Sequence, residues 1–197
     1  MIPIKFTKYI HEQMIVDHLC SLEDEDRRLR FGGMVNDDFI KEYVNKSLDD
    51  ENSQWLGCVA HTKIVSACHV AIHNGEEELG CSVDSEYRGK GLAQEMFDRA
   101  ITFLRSHNVS NVFMHCLTEN ATMRHIAKKN RMTIVSCYGE TDAKVVIEPP
   151  TPLTAMRDAY LDRMSMYDML FRSNTEMYEA FLKSLTYGKR NNLTRTN

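Results

Sequence analysis

The order of apolar patterns along the chain constrains its fold more than any other feature. Period-two alternation, which is typical of strands, and spacing of three to four residues, which is typical of helices, follow one another in distinct segments. The predicted strands are 2–8, 54–61, 63–73, 76–84, 109–117, 132–138 and 144–147, and the predicted helices begin at His11 and cover 37–48, 91–106 and 120–129. This order predicts an α/β or α+β domain with a mixed central sheet of about seven strands flanked by helices.

The middle of the chain fixes part of the topology. Three strands follow each other closely, and His73-Asn74-Gly75 is a strong hairpin signal because Asn and Gly tolerate positive φ. The segment 54–84 is therefore predicted to be an antiparallel meander. The strand–helix steps that come after it require part of the sheet to be parallel.

Prolines 149, 150 and 152 end this pattern and set the predicted domain boundary at residue 148. An apolar stripe at helical spacing follows, and Ser173 and Glu176 have the spacing of a capping box. Residues 149–188 are therefore predicted to form a helical pair that packs on the domain or on a second copy of the chain, as a homodimer. The polar tail 189–197 is predicted to be disordered.

The composition excludes several classes of protein. The 197 residues carry a net charge of −4, which argues against nucleic-acid or anionic-membrane binding through bulk electrostatics. The chain has no signal-peptide pattern and no apolar run long enough to span a bilayer, so a cytoplasmic protein is predicted. Six scattered cysteines without a C-x-x-C pair indicate buried free thiols. His69 and His73 share a strand face without a third ligand in register, so no metal site is predicted.

The stretch EYRGKGLAQEM, residues 86–96, carries the chemistry. Gly89 and Gly91 stand where a strand ends and a helix begins, although glycine weakens a helix. A helix N-terminus has unpaired N–H groups and a partial positive charge, and glycines let a phosphate approach the backbone. The stretch matches neither G-x-x-x-x-G-K-[ST] nor G-x-G-x-x-G. A pyrophosphate site of another kind is predicted.

Arg88-x-x-Gly91-x-Ala93, after a strand ending near Val83, resembles the Q/R-x-x-G-x-G/A signature of the GCN5-related N-acetyltransferases, abbreviated GNAT. The resemblance covers about residues 2–147, and the order of predicted elements matches that fold. It implies acetyl-CoA as cosubstrate. The cofactor-binding residues it implies are Val83, Arg88, Gly89, Lys90, Gly91, Leu92 and Ala93, with Asn120 near the pantetheine arm.

Two further segments resemble the branch that includes bacterial protein lysine acetyltransferases. Residues 22–31 (LEDEDRRLRF) are similar to its LSPES-x-x-x-RF segment, and Thr118-Glu119-Asn120 with the following residues is similar to EN-x-x-M-x-x-LA. The chain departs from the family where Ala127 occupies the register of a Tyr that acts as general acid, and where Arg131-Met132 replaces Gly-Phe. The general acid is therefore unassigned, and Tyr138, His115 and Cys116 are conceivable donors.

Acetyl transfer to an amine needs a base, because an ammonium with a pKa of about 10.4 has no lone pair. The resemblance places this base on the fourth strand, where Glu78 is favoured and Glu77 is the alternative if a bulge changes the register. Alternation puts Glu77 with Leu79 on one face and Glu78 with Gly80 on the other. The backbone N–H of Val83 is the candidate to stabilise the tetrahedral intermediate.

These observations predict an acetyl-CoA-dependent N-acetyltransferase that acetylates a primary amine by direct attack in a ternary complex. The amine is a protein lysine or a small molecule. The alternative is a catalytically weakened acyl-CoA-binding module that works as an interaction protein, which Ala127 favours slightly.

Overall fold

The structure is a computed structural model that describes residues 1–73 and 76–193. Its seven strands form one sheet in the order β1-β2-β3-β4-β5-β7-β6. The strands are β1 Ile4–Lys5, β2 Ser53–Ala60, β3 Lys63–His73, β4 Glu76–Val83, β5 Asn111–Leu117, β6 Thr133–Cys137 and β7 Glu140–Val146. The helices are α1 Lys8–Cys20, α2 Asp24–Phe31, α3 Asp37–Asp49, α4 Leu92–Ser106, α5 Ala121–Lys129 and α6 Pro152–Leu193. The predicted fold class is confirmed.

The sheet changes direction at its centre. Strands β2, β3 and β4 form the predicted antiparallel meander, although the turn residues Asn74 and Gly75 lie outside the described residues. Within the described part of the chain, β4 and β5 are the one parallel pair, and their pairing consists of Glu77 with Val112 and Glu78 with Phe113. Beyond Glu78 the two strands continue without pairing, which leaves an opening between their carboxyl ends.

Helices cover the sheet unevenly. Helices α1 and α3 pack on β1–β4 around the buried Trp55, and α4 and α5 pack on the opposite face with Leu79 and Met114. Five residues of α4 that recur at helical spacing are all buried: Leu92, Met96, Ala100, Phe103 and Leu104. On the side of α1 and α3, a group of exposed polar residues from β4, β5 and β7 remains, here called the open face: Glu78, His115, Glu140, Asp142 and Lys144.

Within the domain, β1, β7 and α2 differ most from the sequence prediction. β1 is limited to Ile4–Lys5, and β7 begins at Glu140, four residues before the predicted start. Helix α2 was not predicted, because its sequence DEDRRLRF is too polar to show an apolar period. Acidic residues in its first turn and Arg28 and Arg30 in its last turn favour a helix through the helix dipole instead.

The C-terminal extension is one continuous helix, so the prediction of a helical pair is wrong. α6 continues through Ser173 and Glu176 to Leu193, and no Gly or Pro lies near residue 173 to interrupt it. A capping box stabilises a helix start but does not create a break. The helix also includes residues 189–193, which were predicted to be disordered, whereas residues 194–197 lie outside the described residues.

A cluster of charges anchors α6 to the domain. Arg99 of α4 is 3% exposed and donates to Asp158 and Asp162, and Lys5 of β1 reaches the same two carboxylates at 2.9 and 2.8 Å. Burial alone would raise the pKa of Asp158, but the hydrogen bonds from Arg99 and Lys5 hold it below its ordinary value. Two cations, Arg99 and Lys5, are thus matched to the two carboxylates.

Candidate active site

A cavity of about 500 Å³ lies at the carboxyl end of β4, where Cys81, Ser82 and Val83 line it beside the opening between β4 and β5. Its lining residues come from both sides of the sheet, since α2 contributes Leu29 and Arg30, and α5 contributes Met123 and Ile126. The cavity therefore passes through the sheet where the strands separate. Seven of the predicted cofactor-binding residues line it: Val83, Arg88, Gly89, Gly91, Leu92, Ala93 and Asn120.

The N-terminus of α4 faces this cavity, and no side chain caps it with a hydrogen bond. Gly91 is the N-cap residue, it has no side chain to accept a hydrogen bond, and the first helical bond runs from Glu95 N to Gly91 O. The N–H groups of Leu92, Ala93 and Gln94 therefore have no acceptor within the helix. These donors and the helix dipole fit a diphosphate group.

The backbone before α4 is shaped by its glycines. Gly89 and Gly91 have φ of 73° and 82°, which residues with side chains rarely adopt. Apart from the adjacent residues of the chain, no atom lies within 4 Å of the position where a Cβ would stand on either residue. The space above both glycines is open. A ligand can therefore contact the backbone directly.

The two basic residues of the stretch behave differently. Arg88 lines the cavity, donates from Nε to Val83 O at 3.4 Å, and forms an ion pair with Asp26 of α2. Lys90 lies outside the lining residues, and its Nζ sits 4.4 Å from the ring centroid of Tyr87. Of the two, only Arg88 is placed to meet a ligand in this cavity.

The end of β4 is fixed from the side of α1. His18 has Nδ1 3.0 Å from Ile64 O and Nε2 2.9 Å from the hydroxyl of Ser82, which lines the cavity. Because the Ile64 carbonyl only accepts, Nδ1 carries the proton and Nε2 accepts from Ser82. Burial lowers the pKa of His18 to about 4, so this imidazole is neutral at pH 7 and holds one orientation.

Asn120 closes the cavity at α5. Its Oδ1 caps this helix by accepting from Met123 N at 3.1 Å, and the residue is buried. The capping bond fixes the amide of Asn120 and leaves its NH₂ group as a donor. Thr122, His125 and Lys129 of α5 also line the cavity, and their spacing of three and four residues places them on one helix face.

The two candidate glutamates lie on opposite faces of β4, as alternation predicts. Glu77 is 3% exposed and shares the core face with Leu79, whereas Glu78 is exposed on the open face. Neither lines the cavity. No bulge interrupts the pairing of β3 with β4, which runs without a register shift from Ser66–Val83 to His73–Glu76.

Sequence reasoning missed the contribution of α2 to the cavity. Asp26, Leu29 and Arg30 line the cavity, and their spacing of three and four residues places them on one face of α2. Arg30 lies against the backbone of Gly80 and donates to Tyr43 OH at 3.1 Å. These contacts of Arg30 join α2 to α3 and β4, and they could not be predicted from the sequence because the three residues are far apart along the chain.

Other candidate residues have different surroundings. Cys116 is buried and its pKa is raised by burial, while Tyr138 is fully exposed at the turn between β6 and β7. His69 Nδ1 is 2.6 Å from Tyr43 OH, and Nε2 is 2.6 Å from the Ser53 hydroxyl. Within 1–73 and 76–193, no group of three or more His, Cys, Asp or Glu residues has the arrangement of a metal site.

Comparison with known families decides the identity. The family model described as an acetyltransferase (GNAT) domain matches residues 13–133, which is more than half of the chain. This chain belongs to the GNAT family. It is therefore an N-acetyltransferase that takes its acetyl group from acetyl-CoA, and the predicted family and cosubstrate are confirmed.

Solved structures agree with this GNAT fold. The GNAT domain of PAT from S. lividans superposes with a TM-score of 0.64 at 14% identity, over 74% of this chain and 89% of that chain. Ribosomal-protein-alanine N-acetyltransferase from Brucella melitensis gives 0.58 at 11% identity, over 75% of this chain and 100% of the other. The Thermoplasma acidophilum paia N-acetyltransferase, solved in complex with coenzyme A, gives 0.55 at 11% identity, over 74% and 98%.

The GNAT chain has no match among curated proteins. Among its described helices, none combines the length and the apolar character needed to cross a membrane.

Proposed function

We propose that this protein acetylates a primary amine by direct attack on acetyl-CoA bound in the cavity between β4 and β5. The observation that carries the proposal is the uncapped N-terminus of α4, whose N–H groups face the cavity beside Gly89 and Gly91. In the proposed complex these N–H groups and Arg88 bind the diphosphate. Lys90, which the resemblance implies as a cofactor residue, then contributes only positive charge near the rim.

The pantetheine arm is proposed to run along the cavity between the end of β4 and α5. Val83 and Asn120, which line the two sides, would donate hydrogen bonds to its amide oxygens or to the thioester oxygen. When acetyl-CoA is bound, it supplies an activated acyl carbon at the opening in the sheet. An amine approaching from the open face reaches that carbon without crossing the core.

The charge of the open face favours a cationic acceptor. Glu78, Glu140 and Asp142 are exposed there, with Glu119 just beyond the end of β5. Carboxylates attract an ammonium group and raise its local concentration. Of the two strand glutamates, we assign Glu78 to the amine, because Glu77 is buried on the core face. The acceptor class is a protein lysine or a small-molecule amine.

Calorimetry and a thiol-release assay test this function together. We expect acetyl-CoA to bind the purified protein with micromolar affinity and the free thiol of CoA to appear when the correct amine is added from a panel of lysine peptides and small amines. Binding without turnover on any amine would favour the acyl-CoA-binding module. Absence of acetyl-CoA binding would contradict both functions.

We also propose that the protein forms a homodimer through α6. Asp158, Asp162 and Ser165 face the domain, and at 100° per residue the opposite side of the helix carries the exposed Leu153, Met156, Tyr160, Tyr167, Leu170 and Phe171. This spacing of three and four residues is typical of helices that pair with another helix. The 42-residue helix is about 63 Å long, which exceeds the diameter of about 40 Å expected for its domain. We therefore propose that a second copy of the chain buries the apolar side of α6.

Light scattering on the full chain checks the dimer. We expect a dimer for the wild type and a monomer for the double variant Tyr167→Glu/Phe171→Glu, which places charge on the apolar side of α6. Ala155→Glu is the matched control, because Ala155 is exposed on the same helix and, at 100° per residue, lies about 120° and about 160° around the axis from Tyr167 and Phe171, and it is expected to remain dimeric. A monomeric wild type would contradict the proposal.

A cytoplasmic location is proposed as well. The five cysteines whose side chains are described, Cys20, Cys58, Cys68, Cys81 and Cys116, are all free thiols. Free thiols persist in a reducing compartment.

A further inference from the structure

The open face contains a histidine–aspartate pair to which the proposed function assigns no proton transfer. His115 Nδ1 lies 2.7 Å from Asp142 Oδ1, on directly opposed residues of β5 and β7. Because an ionised carboxylate only accepts hydrogen bonds, Nδ1 must carry the proton. In neutral His115, Nε2 then has a free lone pair, and the closest carboxylate oxygen to it, from Glu140, is 3.9 Å away.

The position of this pair on the strands is specific. β4 and β5 pair last at Glu78 and Phe113, and His115 is the next residue of β5 on the same face. It therefore lies on the open face beside the opening between β4 and β5, although it does not line the cavity itself. His115 is 44% exposed, so an incoming amine can approach its ring, while the adjacent Cys116 points into the core.

We propose that His115, oriented by Asp142, takes the proton from the acceptor amine, while Glu78 binds the ammonium group beside it. This inference rests on the proposed function and names its base. The His115 Nε2 lone pair accepts a proton from R–NH₃⁺, and the resulting amine attacks the thioester carbon. The C–N bond forms, the C–S bond breaks, and the second amine proton leaves with the CoA thiolate as the free thiol.

The chemistry favours an imidazole over a lone carboxylate for this step. Moving a proton from an amine of pKa about 10.4 to a free glutamate of about 4.3 is unfavourable by roughly 10⁶, and to a free histidine of about 6.5 by roughly 10⁴. The surroundings of His115 bring its pKa closer to that of the amine. Its hydrogen bond to Asp142 raises its pKa, partial burial opposes this, and the charges of Asp142, Glu140 and Glu78 add to the increase.

The other charged groups near His115 come from two more positions. Lys144 of β7 is two residues from Asp142 and lies over the ring of Phe113, with Nζ 4.6 Å from the ring centroid. Arg28 of α2 is paired with Glu25 and with Glu119, just beyond the end of β5. The carboxylates facing His115 therefore outnumber the cations and favour its protonated form after the transfer.

The pH dependence of kcat/KM, measured with the best amine of the panel, tests the assignment. In the wild type, kcat/KM is expected to rise with pH through an apparent pKa above 6.5. His115→Gln should lower kcat/KM at pH 7 by roughly 100-fold and remove that rise, with acetyl-CoA affinity unchanged. Asp142→Asn should move the rise to lower pH, because it removes the charge that raises the pKa of His115.

Two further variants make the test specific. Glu78→Gln should raise the KM for the amine and keep the pH dependence, and His107→Gln, an exposed histidine after α4, should change nothing. A rise that persists in His115→Gln, or that disappears only in Glu78→Gln, would overturn this inference and leave the acetyltransferase proposal intact. If the wild type binds no acetyl-CoA, the proposed function fails first, and the assignment of His115 fails with it.

Discussion

Replacing Gly91 with glutamate is expected to abolish acetyl-CoA binding. Gly91 has φ of 82° at the start of α4, and the space where a side chain would project is open. A glutamate there would strain the backbone and place a negative charge where the diphosphate is proposed to bind. We expect the dissociation constant, measured by calorimetry, to increase by at least about 100-fold, or about 2.7 kcal/mol.

Gly139→Glu provides a matched control for this experiment. Gly139 also has positive φ, 92°, and open space at its Cβ position, but it lies in the turn between β6 and β7 and does not line the cavity. Its substitution imposes a similar backbone strain without adding charge at α4. Unchanged acetyl-CoA affinity in Gly91→Glu, or an equal loss in both variants, would contradict the assigned diphosphate site.

Replacing Arg99 with methionine is expected to destabilise the protein by about 3–5 kcal/mol, the usual effect of removing one partner of a buried ion pair. Of the cations that the structure describes beside Asp158 and Asp162, Lys5 alone would remain, and Asp158 is buried. For a chain of this length, the melting temperature should decrease by roughly 10 °C. Hydrogen exchange should be faster in α6, because this helix loses its anchor.

Arg105→Met is the control for the loss of a cation from the same helix. Arg105 pairs with the highly exposed Glu148, and surface pairs of this kind contribute about 0–1 kcal/mol. Adding Asp158→Asn to Arg99→Met should restore part of the stability, since it removes a buried charge. If Arg99→Met and Arg105→Met lower the free energy of unfolding equally, the ion cluster does not anchor α6.

The central domain was largely predictable from the sequence because its patterns are local. β3 spans Lys63–His73 as predicted, and the buried residues of α4 follow its helical period. Two regions did not follow simple rules. α2 has no apolar stripe and depends on charges at its ends, and α6 has enough helical propensity to continue through a sequence that resembles a new helix start.

In the candidate site, too, features that depend on adjacent residues were predictable, whereas contacts between residues distant in sequence were not. The anion site could be predicted from the glycines of the loop and the start of α4, because the backbone geometry that such a site needs depends on adjacent residues. The pairs His18–Ser82 and His115–Asp142 join residues 64 and 27 positions apart, and alternation alone does not reveal them. Sheet order and register create these contacts, so they became visible only in the fold.

A crystal structure of the protein with bound acetyl-CoA tests the central claim most directly. We expect the diphosphate oxygens to accept hydrogen bonds from the backbone N–H groups at the start of α4, with the thioester in the opening between β4 and β5. A cofactor bound elsewhere, or a diphosphate that makes no contact with residues 89–94, would contradict the account.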